Sequence, residues 1–347
     1  VYALREGKWK EITRQLGLDR FVGWWNGVVT GDFDGDGRLD ILASNWGCNT
    51  KYQRHRDRPL RLYFGDWAGM GRVDMLEAYY EPGLGKYVPF VALDQLRQVC
   101  PPLSERFSTF AAYASAGIEE ILGKGGRPPI YLEANWFETT LFLNRGMGVE
   151  ARVLPMEAQL APAFGLAVGD CDGDGNEDVF LAQNFFDVDA ETSRSDAGRG
   201  LWLRGDGQGR LRPMAGQESG VILDGEQRGC ALCDYNHDGR VDLAVGQNRG
   251  PIGLFRNTGG KPGLRVRLRG PAWNPDAIGA SIRLRYGERL GPARLVTAGA
   301  GYWSQDGLVQ VLGRAETPSG IDVRWPGGKM TTRTLGATDQ EILLTSP

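Results

Sequence analysis

The sequence predicts an all-β fold: a propeller built from short-stranded blades, carrying a helical insertion and followed by a small β-sandwich-like domain. Three observations predict it. An acidic loop recurs as DFDGDGRLD at residues 32–40, DCDGDGNED at 170–178 and DYNHDGRVD at 234–242, each time running into a short apolar segment, LDILAS, EDVFLA or VDLAVG. Segments of that kind, rich in branched residues and apolar on both phases, read as strands buried on both faces. Glycine reaches 51 of 347 residues and helical periodicity is scarce, so the chain is divided into many short strands and turns. After Lys261 the pattern becomes a two-residue alternation (LRVRLR, SIRLRY, ARLVT, IDVRW, EILLTS), which marks strands with one wet face.

The loops carry the chemistry. Side-chain oxygens stand at loop positions 1, 3, 5 and 9: Asp32, Asp34, Asp36 and Asp40; Asp170, Asp172, Asp174 and Asp178; Asp234, Asn236, Asp238 and Asp242. Glycine at position 6 permits the sharp turn that wraps a chain around a hard cation, and the carbonyls of Arg38, Asn176 and Arg240 can supply position 7. An EF-hand would need Glu at position 12, where this chain has Ala43, Leu181 and Val245, so Asp at position 9 takes that part. Asp and Gly also form turns by themselves. Three copies in register before the same kind of strand favour about three calcium sites. Two carboxylates 4 Å apart repel by about 4 kcal/mol at a surface-like dielectric, so calcium should stabilise the fold by binding only the native state.

Repeats extend beyond these loops. The opening VYALREGKWKEITRQLGL has the layout of GRLRPMAGQESGV at 209–221, so the chain starts inside a repeat. Strands ending in Asn occur as ILASNW (Asn45), YLEANW (Asn135), FLAQNF (Asn184) and AVGQNR (Asn248). The copy at Asn135 has lost its loop, since 121–127 (ILGKGGR) holds no carboxylate. A further copy, DWAGMGRVDMLEAYY, keeps Asp66 and Asp74 but has Ala68 and Met70 at two ligand positions, and Tyr79 where Asn45 would stand. Five units, each too small to bury its own faces, stack radially as blades. The N-terminal strands are expected to complete the sheet begun near 250–257. This propeller spans 1–263 and the β domain 264–347. Within the propeller, between its second and third repeat units, lies an insertion of different periodicity at about 92–123, with a short helix at 94–99 and an amphipathic helix of about four turns over 107–122.

Composition narrows the classes. The formal charge of −3 divides into −7 over residues 1–263 and +4 over 264–347, and the loops hold eleven aspartates, a balance that gives a nucleic-acid role little support. Arg265, Arg267, Arg269, Arg283 and Arg285 fall on outward phases of the tail strands. No apolar run approaches the ~18 residues of a membrane span. The first residue is Val1, consistent with a removed leader or with numbering that starts inside a longer protein. Low-affinity oxygen sites suit extracellular or periplasmic calcium. Cys48 and Cys100 could pair in such a compartment. Cys230 and Cys233 lie three apart on a strand, facing opposite ways, and read as core thiols.

These loops and strands resemble the FG-GAP or VCBS repeats of integrin-like β-propellers over most of residues 1–260. The tail resembles the ASPIC/UnbV domain found behind such repeats in the cartilage acidic protein family and bacterial relatives, through NPDAIGASIRLR from Asn274, AGAGYWSQD from Ala298 and IDVRWPGGK from Ile321. It departs at 308–315 (LVQVLGRA), where that family usually has a His-Phe-Gly-Leu-Gly type segment. The resemblance implies a secreted calcium-binding propeller used in adhesion or extracellular recognition.

Equivalent positions on blades lie on a circle, so Asn45 with Trp46, Tyr79, Asn135 with Trp136, Asn184 with Phe185, and Asn248 should converge on one face. Amides beside aromatic rings suit a carbohydrate or a protein partner's backbone. Equally, Asn can simply end a strand and tie off a turn. An enzyme is the alternative reading, carbohydrate-active or cyclising, with Glu77, Glu133 and Glu138 as candidate acid/base groups. The two histidines, His55 and His237, sit in no nucleophile setting, and there is no GxSxG or HExxH. A third reading is a structural subunit of an extracellular assembly.

Overall fold

The structure is a computed structural model that describes residues 1–67, 69–123, 129–188 and 192–347. Two compact units emerge. One comprises Val1–Leu18, Trp25–Asn49 and Glu138–Pro347, the other Asp19–Trp24 and Thr50–Phe137. Strands dominate the first unit, the second holds strand and helix in similar measure, and no described α-helix exceeds seven residues.

In the first unit each acidic loop closes a β-hairpin, pairing Gly31 with Asp40, Gly169 with Asp178 and Cys233 with Asp242. The first of three antiparallel sheets runs Gly27–Gly31, Asp40–Ser44, Thr140–Asn144, Val149–Val153. Its chain departs after Ser44 and returns at Thr140. The second sheet is Ala163–Gly169, Asp178–Gln183, Leu201–Gly205, Leu211–Pro213. Only three strands form the last, Glu226–Cys233, Asp242–Asn248 and Gly253–Phe255. The opening strands of the three sheets lie side by side, as in propeller blades. Glycine makes this close approach possible: a β-carbon at Gly27 would collide with the Phe164 carbonyl oxygen, and one at Gly165 with that of Arg228.

The middle sheet shows why its strands read as apolar on both phases. Leu166, Val179, Leu181 and Leu203 pack toward the first sheet with Leu42, Leu141 and Leu143. Their alternates Ala167, Phe180, Ala182 and Trp202 pack toward the third with Cys230, Leu243 and Val245. Every residue of Asp178–Gln183 is buried.

Several expectations are corrected. Among the described residues the N-terminal strands, Tyr2–Arg5 and Lys8–Glu11, pair only with each other and do not complete the sheet of Gly253–Phe255. Glu6 and Gly7, at φ 54° and 74°, make the tight turn that closes this hairpin on itself. The following segment is tied to the first sheet instead, where Val149 N donates to Leu16 O at 3.2 Å. No disulfide joins Cys48 to Cys100; all five cysteines are thiols. Cys230 is buried, and burial pushes its thiol pKa up.

Residues 264–347 form two facing sheets around a core that includes Val266, Ile282, Val323, Trp325 and Ile342. Gln310–Leu312, Leu264–Arg269 and Glu341–Thr345 make one, its last pairing parallel. The other contains Ser281–Tyr286, Gly320–Arg324 and Met330–Thr334. Arg267 and Arg269 are exposed as expected, but Arg265 is 6 % exposed. Its guanidinium reaches Asp234 at 3.4 Å, an attraction that overrides the outward phase.

The second unit is a four-stranded sheet, ordered Lys86–Pro89, Asp74–Glu81, Leu60–Gly65, Tyr131–Ala134. Short helices cover one face through Leu93, Leu96, Leu103, Tyr113, Ile118 and Ile121. The four-turn helix expected over 107–122 is two pieces, Phe110–Ala114 and Ile118–Leu122. Gly117 stays extended between them and starts the second helix, its N–H donating to Glu120 Oε2 at 2.7 Å. The copy ending at Asn135 has no sheet of its own, because Tyr131–Ala134 is the edge strand here. Of its lost loop, 124–128 lie outside the described residues, as does Ala68.

Candidate metal loops and an aromatic face

The loops share one hydrogen-bond plan. The position 1 carboxylate accepts from the position 6 amide: Gly37 N to Asp32 Oδ2 at 2.9 Å, Gly175 N to Asp170 Oδ2 at 2.7 Å, Gly239 N to Asp234 Oδ2 at 2.9 Å. Position 9 is spent twice. One oxygen accepts from the position 2 amide (Phe33 N to Asp40 2.9 Å, Cys171 N to Asp178 2.9 Å, Tyr235 N to Asp242 3.2 Å). Its other oxygen accepts from the end of the next strand of the blade or the residues just past it, through Asn144 N at 2.8 Å, Gly205 N at 2.8 Å and Asn257 N at 2.7 Å. Position 9 therefore fixes the hairpin to its neighbour whatever else it binds.

The degenerate loop at 66–74 keeps that plan. Gly71 N donates to Asp66 Oδ2 at 2.9 Å and Trp67 N to Asp74 Oδ2 at 3.0 Å. Positions 1, 6 and 9 thus set the turn, and positions 3 and 5 distinguish an acidic loop from a plain one. Asp34 and Asp36, Asp172 and Asp174, and Asn236 and Asp238 hold those places. Carboxylate oxygens of Asp32, Asp34 and Asp40 lie within 4.8 Å of one another, as do those of Asp170, Asp172 and Asp174. The third loop has Asn236 in the middle of its set.

Two observations test whether a cation fits. Asp32 is fully buried, and its Oδ1 has no hydrogen-bond partner, a cost that a coordinated cation would remove. Burial also raises the carboxylates, Asp170 to about 7 and Asp40 and Asp178 to about 6, because the charged form loses solvation without gaining a counter-ion. The oxygens are hard donors at the spacing calcium takes. Arginines lean on the sets from outside: Arg145 on Asp34 at 2.5 Å, Arg204 on Asp172 at 2.8 Å. Arg38, whose carbonyl holds position 7, pairs its side chain with Asp36, and Arg240 reaches Asp238 at 3.4 Å. Asn176 N donates to Asp174 Oδ1 at 2.8 Å.

At the other end of the blades the amides and the rings part company. Asn45 and Asn184 are fully buried. Asn45 Oδ1 accepts Trp46 N at 2.8 Å; Asn184, at φ 89°, donates to the Gly198 and Gly225 carbonyls and accepts Gly198 N. These amides tie off turns and support the surface from beneath. Asn248 is exposed and donates to Glu226 Oε2 at 3.1 Å. The rings, in contrast, are half-buried and gather: Trp46 is 5.1 Å from Phe185, Phe164 stacks on Phe185 at 6.1 Å, and Tyr302 of the C-terminal domain meets Phe164 at 5.8 Å. Arg228 covers Phe164 at 4.0 Å. Trp303 follows, 92 % exposed and held at φ 50°.

Tyr79, Asn135 and Trp136 belong to the second unit. Asn135 accepts Val22 N at 3.0 Å and donates to Arg20 O, Trp136 meets Phe21 edge-on at 4.8 Å, and Tyr79 lies 3.7 Å from His55. The carboxylates weighed for catalysis there are paired. Tyr52 donates to Glu77 at 2.8 Å, and Arg61 holds Glu133 at 3.0 Å.

Two stretches of the sequence match known families. Residues 170–245 match the FG-GAP-like repeat, and residues 270–347 match the domain described as ASPIC and UnbV. The chain carries an FG-GAP-like repeat and an ASPIC/UnbV domain. No curated protein matches the chain significantly. The FG-GAP match takes in the second and third acidic loops, and loop 32–40, outside it, repeats their hydrogen bonds. FG-GAP repeats are common in extracellular proteins. Among the described residues no helix is long and apolar enough to cross a membrane.

Sequence reasoning missed the contacts that the UnbV domain makes with the loops. Ala293 N donates to Asp32 Oδ2 at 2.8 Å, and Arg294 clasps the buried Glu177 with Nε to Oε1 at 2.8 Å. Gly313, in the segment that departs from the family pattern, lies so close to Asp170 that a β-carbon would collide with its Oδ2. Glu177 at loop position 8, where the other two loops carry Leu39 and Val241, was the available signal.

Proposed function

We propose that this chain is a secreted recognition protein whose blades are stabilised by calcium and whose aromatic face binds a carbohydrate. Loops 32–40 and 170–178 hold the ions through positions 1, 3, 5 and 9 and the position 7 carbonyl, and loop 234–242 holds a third more weakly. Millimolar calcium outside the cell suits sites of this kind.

The observation that carries the recognition reading is Trp303. A non-glycine residue at positive φ costs of order 1–2 kcal/mol, and this one leaves a large apolar ring in water. The φ belongs to the turn that Ala300 N closes on Ser304 O at 2.9 Å, but the exposed ring itself adds little burial. Beside it Tyr302, Phe164, Phe185 and Trp46 present a row of half-buried rings, and Arg228 is already paired with Glu226. Rings without an unpaired charge suit the CH faces of neutral pyranosides, with Asn248 at the rim to bond hydroxyls. A protein partner remains the other class, and a docking subunit role would use the same face.

A glycan panel screened by calorimetry tests this reading. Trp303→Ala and Trp46→Ala should each weaken saccharide binding at least tenfold while leaving the melting temperature within about 2 °C. Binding that survives both substitutions, or turnover of the glycan instead of binding, would reject it.

A further inference from the structure

The UnbV domain does more than follow the blades; residues 293–307 run along their inner strands. At one end, Ala293 N bonds Asp32 in the first acidic loop and Arg294 clasps Glu177 in the second. Further on, Gly301 lies against the backbone of Leu166, and Tyr302 meets Phe164 at the far end of the same strand. On the return, Leu232 N donates to Asp306 Oδ1 at 2.8 Å and Gly307 N to Leu232 O at 2.7 Å. A cavity of about 160 Å³ separates this plug from Val28, Val29 and Thr30. One segment therefore touches the acidic loops at its base and carries Tyr302 and Trp303 at its tip.

Asp32 is the joint. Its Oδ2 accepts both Gly37 N and the plug's Ala293 N, while the buried Oδ1 has no partner. With a cation on Oδ1, Asp32 is fixed by the ion on one side and grips the plug on the other. Without one, repulsion from Asp34 and Asp40 and the uncompensated burial of Oδ1 both drive Asp32 out of the position in which it holds Ala293.

We propose that calcium at loops 32–40 and 170–178 locks the plug 293–307 between the blades and so holds Trp303 in place at the opposite face. This rests on the calcium reading above and adds to it a coupling between two ends of the blades, in which the ion stabilises the plugged arrangement and the plugged arrangement tightens the ion by the same factor.

Hydrogen exchange on the full chain, with calcium and with chelator, tests it, with bound calcium counted on the same samples. Amides of residues 293–307 should exchange at least tenfold faster after chelation, while those of Asp178–Gln183, buried between blades, change much less. Arg294→Ala, which cuts the plug's hold on Glu177, should weaken calcium binding severalfold although it supplies no ligand. Calcium bound, but exchange of 293–307 unchanged on its removal, would overturn the coupling alone. Absence of bound calcium would overturn the calcium reading and the coupling together. If the Arg294 variant fails to fold, the wild-type comparison still decides.

Discussion

Asp306 shows how a single carboxylate can report on the plug. Burial raises its pKa from 3.8 to about 6, against the lowering effect of its bond from Leu232 N and of Arg294. A value raised in the folded state means that the folded protein binds the proton more tightly. Its stabilising contribution is full below pH 4 and is lost as pH rises through 6. Asp306→Asn keeps the acceptor for Leu232 N and removes the charge. The variant should melt a few degrees above wild type at pH 7.5, with the difference vanishing near pH 4, as read from thermal melts in chelator. At this same scale Asn45 and Asn184 were legible as strand-end residues. Their burial was not, because the sequence does not reveal which turn an amide will close over.

Within the hairpin element, the four related loops separate folding from binding. Position 9 bonds two backbone amides in each acidic loop, and the plain loop at 66–74 retains the position 1 and position 9 bonds to the turn. Asp178→Ala would leave Cys171 N and Gly205 N buried without acceptors, and should cost about 2–4 kcal/mol with calcium or with chelator. Asp174→Ala removes a position 5 carboxylate whose backbone donors are only its own loop's, and should leave the chelator melt within about 1 kcal/mol while abolishing one calcium site. Parallel melts and calcium titrations of the two variants check this. A loop whose strength tracked position 9 in calcium binding but not in folding would contradict the division. The loops, their glycines and the strands behind them were readable because each depends on neighbours within ten residues. The helix expected over 107–122 was misread as continuous because apolar spacing survives the break at Gly117, where an extended residue capped by Glu120 starts a second helix.

Across the whole molecule, the number of ions and their effect on stability are the decisive quantities. The acidic sets at 32–40 and 170–178 carry only carboxylates at positions 1, 3, 5 and 9, whereas the third has Asn236 and a buried Arg265 3.4 Å from Asp234. Two calcium ions should bind tightly and a third more weakly, as counted by native mass measurement. At free calcium 100-fold above the dissociation constant each tight site adds about 2.7 kcal/mol, so chelation should lower the melting temperature by several degrees. Wild type indifferent to chelator would make the loops plain turns. By itself the sequence determined the acidic loops, the two-faced burial of the strands behind them and the change of pattern near residue 264, because local spacing encodes these, but not that the copy ending at Asn135 lacks a sheet of its own. Only the tertiary structure decided that the N-terminal hairpin stands apart from the third blade, that Arg265 turns inward, and that Ala293, Arg294 and Gly313 press on the acidic loops. Those outcomes rest on contacts between residues as many as 261 positions apart, as Asp32 and Ala293 are, where burial and charge pairing in three dimensions override the phase of any one strand.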